Sequence, residues 1–189
     1  VIAKVYFCLG LYDRSATILQ VALRSAETTY GPESLEVARV LTALGGAEVS
    51  RGNPETALPL HERSLTIRKK ELPADSPRIA FGMYHVAVCR FYLGNVGDAR
   101  RELQAALATL DRAKPDDPHL RIWILNDLAM FNVSEGQPGS SDMRKAQQLR
   151  ESTFPPGHTE RILGANNVGW CLLAEGDPAG AQPWLERAL

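Results

Sequence analysis

The chain has 189 residues, with 21 basic and 22 acidic side chains and a formal net charge of −1. A balance this even leaves no electrostatic footprint for nucleic acid or an acidic membrane surface, and no apolar run approaches the ~18 residues that a membrane helix needs. Three cysteines, Cys8, Cys89 and Cys171, stand in apolar segments without a close pair or CxxC spacing, which predicts buried thiols in a reducing cytoplasm.

In chain order, the breakers divide the sequence into helical segments. A first helix ends at Gly10, and a second runs to the loop Tyr30-Gly31-Pro32. The next ends at Gly52, where Asn53 is placed as an N-cap and Pro54 at the first helical position, where its missing N–H costs nothing. That helix carries the basic run Arg68-Lys69-Lys70 in its last turn, where cations complement the helix dipole, and it stops at the loop Pro73 to Pro77. Gly94 and Asn95 then repeat the break, followed by the loop Pro115 to Pro118, Gly136, the loop Pro155-Pro156-Gly157, and finally Gly176-Asp177-Pro178. No segment shows strand alternation.

These breaks recur with a fixed period. Gly10, Gly52, Gly94, Gly136 and Gly176 lie 42, 42, 42 and 40 residues apart. Seven residues before each glycine stands a small residue, namely Ala3, Gly45, Ala87, Ala129 and Gly169, each preceded by an aliphatic one. Five residues after come Ser15, Ala57, Ala99, Ser141 and Ala181, and seven further on Ala22, Ser64, Ala106, Gln148 and Ala188, each followed by leucine. Small residues at fixed places let two helices approach closely, while aliphatic neighbours fill the groove between them. The expected units cover about residues 1–35, 36–77, 78–119, 120–159 and 160–189, with the first and last incomplete. The fourth fits least well: Gly139-Ser140-Ser141-Asp142 stands where a helix should start, and Lys145 and Gln148 where other units place core residues, which predicts a short, frayed helix.

The pattern resembles the tetratricopeptide repeat, in its longer, roughly 42-residue variety found in kinesin light chains and many bacterial signalling proteins. TALPLHERSL (56–65) and AGAQPWLERAL (179–189) are similar to the second helix of that variety, including the prolines at Pro59 and Pro183, where a missing backbone bond predicts a bent first turn. CLGLYDRSATILQVAL (8–23) is similar to repeats that follow the kinase domain in some bacterial Ser/Thr kinases. The resemblance implies an all-α, right-handed α-solenoid of about five antiparallel hairpins whose first helices line a concave surface. It also implies a binding scaffold for an extended peptide or partner helix, within a larger signalling protein. The alternative is an intramolecular role, restraining an attached kinase, protease or DNA-binding domain. Ends without a capping element would favour self-association.

Carried over by spacing, the groove positions are Arg39, Thr42, Gly46, Val49 and Ser50 in the second unit, and Phe81, Tyr84, Val88, Phe91 and Tyr92 in the third. The fourth supplies Trp123, Asn126, Met130, Val133 and Ser134, and the fifth Leu163, Asn166, Trp170, Leu173 and Ala174. Exposed aromatic side chains bury large area on a partner at modest entropic cost; Tyr84, Tyr92 and Trp170 are expected at the surface, whereas Phe91 and Trp123 serve equally well as core. Asn126 and Asn166 share one position, where an amide can pair with the backbone of an extended peptide or bridge neighbouring helices. Thr42, Tyr84 and Val88 stand where repeats that clamp a chaperone carboxylate carry Lys or Arg, so that clamp is absent.

No catalytic chemistry is legible. His61-Glu62 lacks the second histidine of a metalloprotease helix, since position 65 is leucine. His85, His119 and His158 fall on other units, and Cys89 and Cys171 occupy equivalent positions expected of small core residues. The recurrent glycines open helix–helix turns rather than follow strands, which excludes a phosphate-binding loop. The expectation is a protein or peptide partner, no nucleic acid, no membrane, no cofactor and no enzymatic activity.

Overall fold

The computed structural model describes residues 2–189. They form ten helices and, among the described residues, no strand: α1 (Ile2–Cys8), α2 (Tyr12–Tyr30), α3 (Leu35–Ser50), α4 (Pro54–Glu71), α5 (Pro77–Tyr92), α6 (Val96–Arg112), α7 (Pro118–Ser134), α8 (Ser140–Thr153), α9 (Thr159–Ala174) and α10 (Pro178–Glu186). The helices gather into two segments, one reaching to Lys114 and the other spanning Pro115–Leu189. In the first, the pairs α1/α2, α3/α4 and α5/α6 form hairpins stacked in chain order; in the second, α7/α8 and α9/α10 do the same. Among the described residues no helix is long and apolar enough to cross a membrane.

One turn is used five times. The N–H of Gly52 donates to Val49 O and that of Asn53 to Glu48 O, both at 2.9 Å. The same pair of bonds closes the first helix at Gly10, Gly94, Gly136 and Gly176, which is the Schellman arrangement. The five glycines have φ between 69° and 81°, a region where a Cβ is strained. Their recurrence is therefore a backbone requirement.

The helix starts divide the capping work differently from the expectation. Asp177 accepts from Gly180 N at 2.8 Å, but Asn53 and Asn95 occupy the cap position without a side-chain cap bond; Asn53 donates instead to Glu48 at 3.0 Å. The first helices of four hairpins are capped by Ser34, Ser76, Asp117 and His158. Both α4 and α10 continue through their internal prolines.

The small residues sit at the closest approaches. A Cβ at Gly45 would lie 2.5 Å from His61 Nε2, and one at Gly169 2.6 Å from Leu185 Cδ2. Ala57, Ala87, Ala99, Ala129 and Ala181 are fully buried. In the fourth hairpin the expected register is off by two. Ser141 and Gln148 are exposed, while Gly139, Met143, Ala146 and Arg150 point inward, matching Ala99, Leu103, Ala106 and Leu110 at a spacing of 40. The two missing residues of the 40-residue interval thus fall in the turn after Gly136. Only a glycine fits at 139, because a Cβ there would meet Ala129 O at 2.4 Å.

α8 is short, with 14 residues, yet its start is held. The Glu175 carboxylate, from the end of the next first helix, accepts from Gly139 N, Ser140 N and Ser140 Oγ, each at 2.7 Å. Burial alone would raise the Glu175 pKa, but these bonds from Ser140 and Gly139 leave it lowered.

Two side chains depart from the sequence reading, Cys8 and Arg68. Cys8 is exposed, because the seven-residue α1 buries none of its residues; Cys89 and Cys171 are buried, and burial pushes their thiols up to about 12 and about 11. Arg68 does not join a solvated basic end: it turns inward and is 5% exposed. Lys70 pairs with Glu33 at the surface.

Candidate functional site

The proposed groove positions lie on α3 and α5 in the first segment and on α7 and α9 in the second. On α3, Arg39 is exposed but Thr42 is not. The Thr42 hydroxyl is 2.9 Å from Ala38 O and from Ser64 Oγ, and it accepts from Arg68 Nη2 at 2.9 Å. Thr42 is therefore part of the hairpin interior, where a hydroxyl is kept only because its bonds are satisfied. Arg68 also donates to Arg78 O at 3.1 Å and lies over the Phe81 ring, 5.4 Å from its centroid. Burial, then the nearby Arg78 cation, lowers its pKa to about 10.

On α5, Phe81, Tyr84, Val88 and Phe91 are half-buried, and Tyr92 is 62% exposed. Phe81 and Tyr84 both present to His85 in edge-to-face contacts, at 4.5 and 5.4 Å. His85 in turn stacks on His61 of α4 at 4.8 Å with 12° between the planes. The third unit's aromatic residues thus flank an imidazole pair that crosses from one hairpin to the next, a juxtaposition that spacing along single helices did not reveal.

On the second segment the face is apolar and open. Trp123 on α7 is 46% exposed, and Leu163, Trp170 and Leu173 on α9 are 50%, 43% and 48% exposed. Met130 and Val133 are half-buried against the core formed by Ala129, Met143, Val168, Cys171, Leu172 and Ala181. Exposed large apolar side chains at i, i+7 and i+10 on one helix form a continuous stripe.

The two asparagines do not form a ladder. Asn126 is half-buried, and its Oδ1 accepts from Asn167 Nδ2 at 3.0 Å and from Arg150 Nη2 at 3.3 Å. Asn166, one residue away, is exposed. Asn126 therefore bridges α7, α8 and α9, while Asn166 remains at the surface. Arg150 also donates to Glu160 at 3.4 Å, and its Nη1 is buried without a protein partner.

Arg68 and Arg150 are one position in two hairpins once the two-residue deficit is allowed for. Each reaches back to the polar residue of its own first helix, Thr42 or Asn126, and forward to residue 78 or 160 of the next. Each is admitted by a glycine on that next helix: a Cβ at Gly82 would be 3.4 Å from Arg68 Nη1, and one at Gly164 2.7 Å from Arg150 Cδ. The uncorrected 42-residue alignment hid the match. Among the described residues no cluster of three or more His, Cys, Asp or Glu side chains is arranged to hold a metal ion.

A family model for the tetratricopeptide repeat matches residues 2–70. No curated protein matches the chain by sequence. Among solved structures, a kinesin light chain candidate from Podosopora anserina with nearly identical TPR-like repeats superposes with a TM-score of 0.79 at 19% identity, over 99% of this chain and 90% of that one. BtubC (BKLC) from P. vanneervenii gives 0.83 at 17% identity, over 98% and 75%. The apo form of RapI gives 0.69 at 15%, over 98% and 78%. At these identities the likeness is one of fold: an α-solenoid of kinesin-light-chain-like tetratricopeptide repeats.

Proposed function

We propose that this tetratricopeptide-repeat solenoid is a non-enzymatic protein-binding scaffold, and that it takes an extended peptide or a partner helix on the first-helix faces of its hairpins. The observation that supports the reading is the stripe Leu163, Trp170 and Leu173 on α9, with Trp123 on α7, all exposed beside a filled core. Apolar side chains left about half exposed on one face can be desolvated by a partner. Asn166 and Tyr92 complete the binding faces, while Thr42 and Asn126 support them from beneath. The proposed setting is the cytoplasm, within a larger signalling protein, and the even charge balance favours a protein partner over nucleic acid.

The test is a screen of a random 12-residue peptide library, followed by fluorescence-polarisation titration of the selected peptides. Trp123→Ala and Trp170→Ala should each weaken binding about tenfold to a hundredfold, as truncation of a buried aromatic anchor does. Lys69→Ala, on the exposed side of α4, should leave it unchanged. Peptides that bind both tryptophan variants as tightly as the parent protein would refute the proposed face.

A further inference from the structure

The imidazole pair between α4 and α5 has no place in the binding reading, and its surroundings are unusual for histidine. His61 is 1% exposed. Its Nδ1 and Nε2, and the Nε2 of His85, are buried without a protein hydrogen-bond partner. Such groups are normally satisfied, because desolvation without compensation is costly. Both rings are closely packed. Gly45 on α3 presses on His61 so closely that a Cβ there would overlap the ring, and Phe81 and Tyr84 close on His85 from its own helix.

The charges around the pair are of one sign. The cation acting on both rings is Arg68 of α4. Three carboxylates on the surrounding helices are engaged elsewhere: Glu48 of α3 by Arg51 and Asn53, and Glu62 of α4 and Glu102 of α6 by Arg90. A proton on the buried ring of His61, or on the half-buried ring of His85, would add a cation beside Arg68 and against the other ring.

We infer that the stacked His61–His85 pair is an acid-triggered release: proton uptake breaks the packing of α4 on α5 and loosens the segment that carries Phe81 and Tyr84. Burial first, with the nearby cations second, pushes His61 down to about 4 and His85 down to about 3, against about 6.5 in an unfolded chain. For a base with a depressed folded pKa, stability is complete above the unfolded value and is lost as pH falls below it. Between pH 6.5 and 4 the unfolded state binds up to two more protons, so the opening equilibrium rises by up to a hundredfold per pH unit. From pH 7.5 to pH 5 the expected rise is about a thousandfold. The interval from pH 7.5 to 5 lies above the ordinary carboxylate range of about 3.9–4.3, which separates the device from general acid denaturation. As regulation of the α5 binding face it rests on the reading above; as an opening of α4 on α5 it does not, and the test needs no ligand.

Hydrogen exchange resolved by peptide, corrected for the intrinsic pH dependence of exchange, should show opening of 54–92 rising several hundredfold or more between pH 7.5 and 5, while 118–174 changes less than tenfold. The variant H61L/H85F, which keeps apolar volume and removes both titrating groups, should abolish the difference. Should that variant fail to fold, imidazole titration by NMR on the parent protein decides: two of its four histidines should remain neutral at pH 5. A rise below tenfold in 54–92, an equal rise in the double variant, or four histidines titrating near 6.5 would each overturn the inference.

Discussion

Asn126→Ala and Asn166→Ala, made separately, should behave as different kinds of mutation although the two residues are equivalent by spacing. Asn126 holds Asn167 at 3.0 Å and Arg150 at 3.3 Å through Oδ1, and donates to Asp127 at 3.3 Å. Removing it leaves Arg150, 5% exposed and already carrying one unpartnered nitrogen, with only Glu160 at 3.4 Å. A buried donor deprived of its partner costs about 1–3 kcal/mol, and the half-buried position of Asn126 admits some water, which favours the lower part of that range. Asn166 is exposed and should change stability by less than about 0.5 kcal/mol. All three tryptophans, Trp123, Trp170 and Trp184, belong to Pro115–Leu189, so urea unfolding followed by tryptophan emission reads the affected segment directly. Equal unfolding midpoints for the two variants, or a larger loss at Asn166, would refute the assignment of Asn126 to the frame.

Gly139→Ala should destabilise the same segment by about 1–3 kcal/mol, since the added Cβ would meet backbone at Ala129 O, 2.4 Å away, and overpacking against backbone is poorly relieved; a urea midpoint within error of the parent would show the two-residue register to be wrong. Glu175→Ala should remove the bonds at the start of α8 and raise hydrogen exchange at 140–144 selectively, with protection of 159–170 nearly kept. The same contact should weaken in acid. The lowered Glu175 pKa means its contribution is complete above the unfolded carboxylate value and is lost as pH falls through the folded one, so parent and variant should converge in exchange at 140–144 on acidification.

The hairpin architecture was legible because its determinants are local. A glycine at positive φ closes each first helix through bonds that span six residues, and small residues mark contacts between neighbours in one hairpin, so both recur at a fixed interval. Tyr92 and Trp170 were likewise legible as surface residues, since helical periodicity places them opposite the buried face. What the chain did not disclose depends on distances between hairpins. Nothing local distinguishes Asn126, tied to Arg150 and Asn167, from the exposed Asn166; Arg150 meets Asn126 because a turn two residues shorter sets the register of α8 so that this arginine points inward. Nor does any spacing bring His61 onto His85, 24 positions apart on different hairpins. That contact exists because Gly45 leaves room for one ring and the packing of α4 on α5 places the other over it. Sequence periodicity fixes which face of each helix is apolar, whereas only tertiary packing decides which polar side chains are trapped between faces, because that choice turns on ångström-scale clearances that no residue carries by itself.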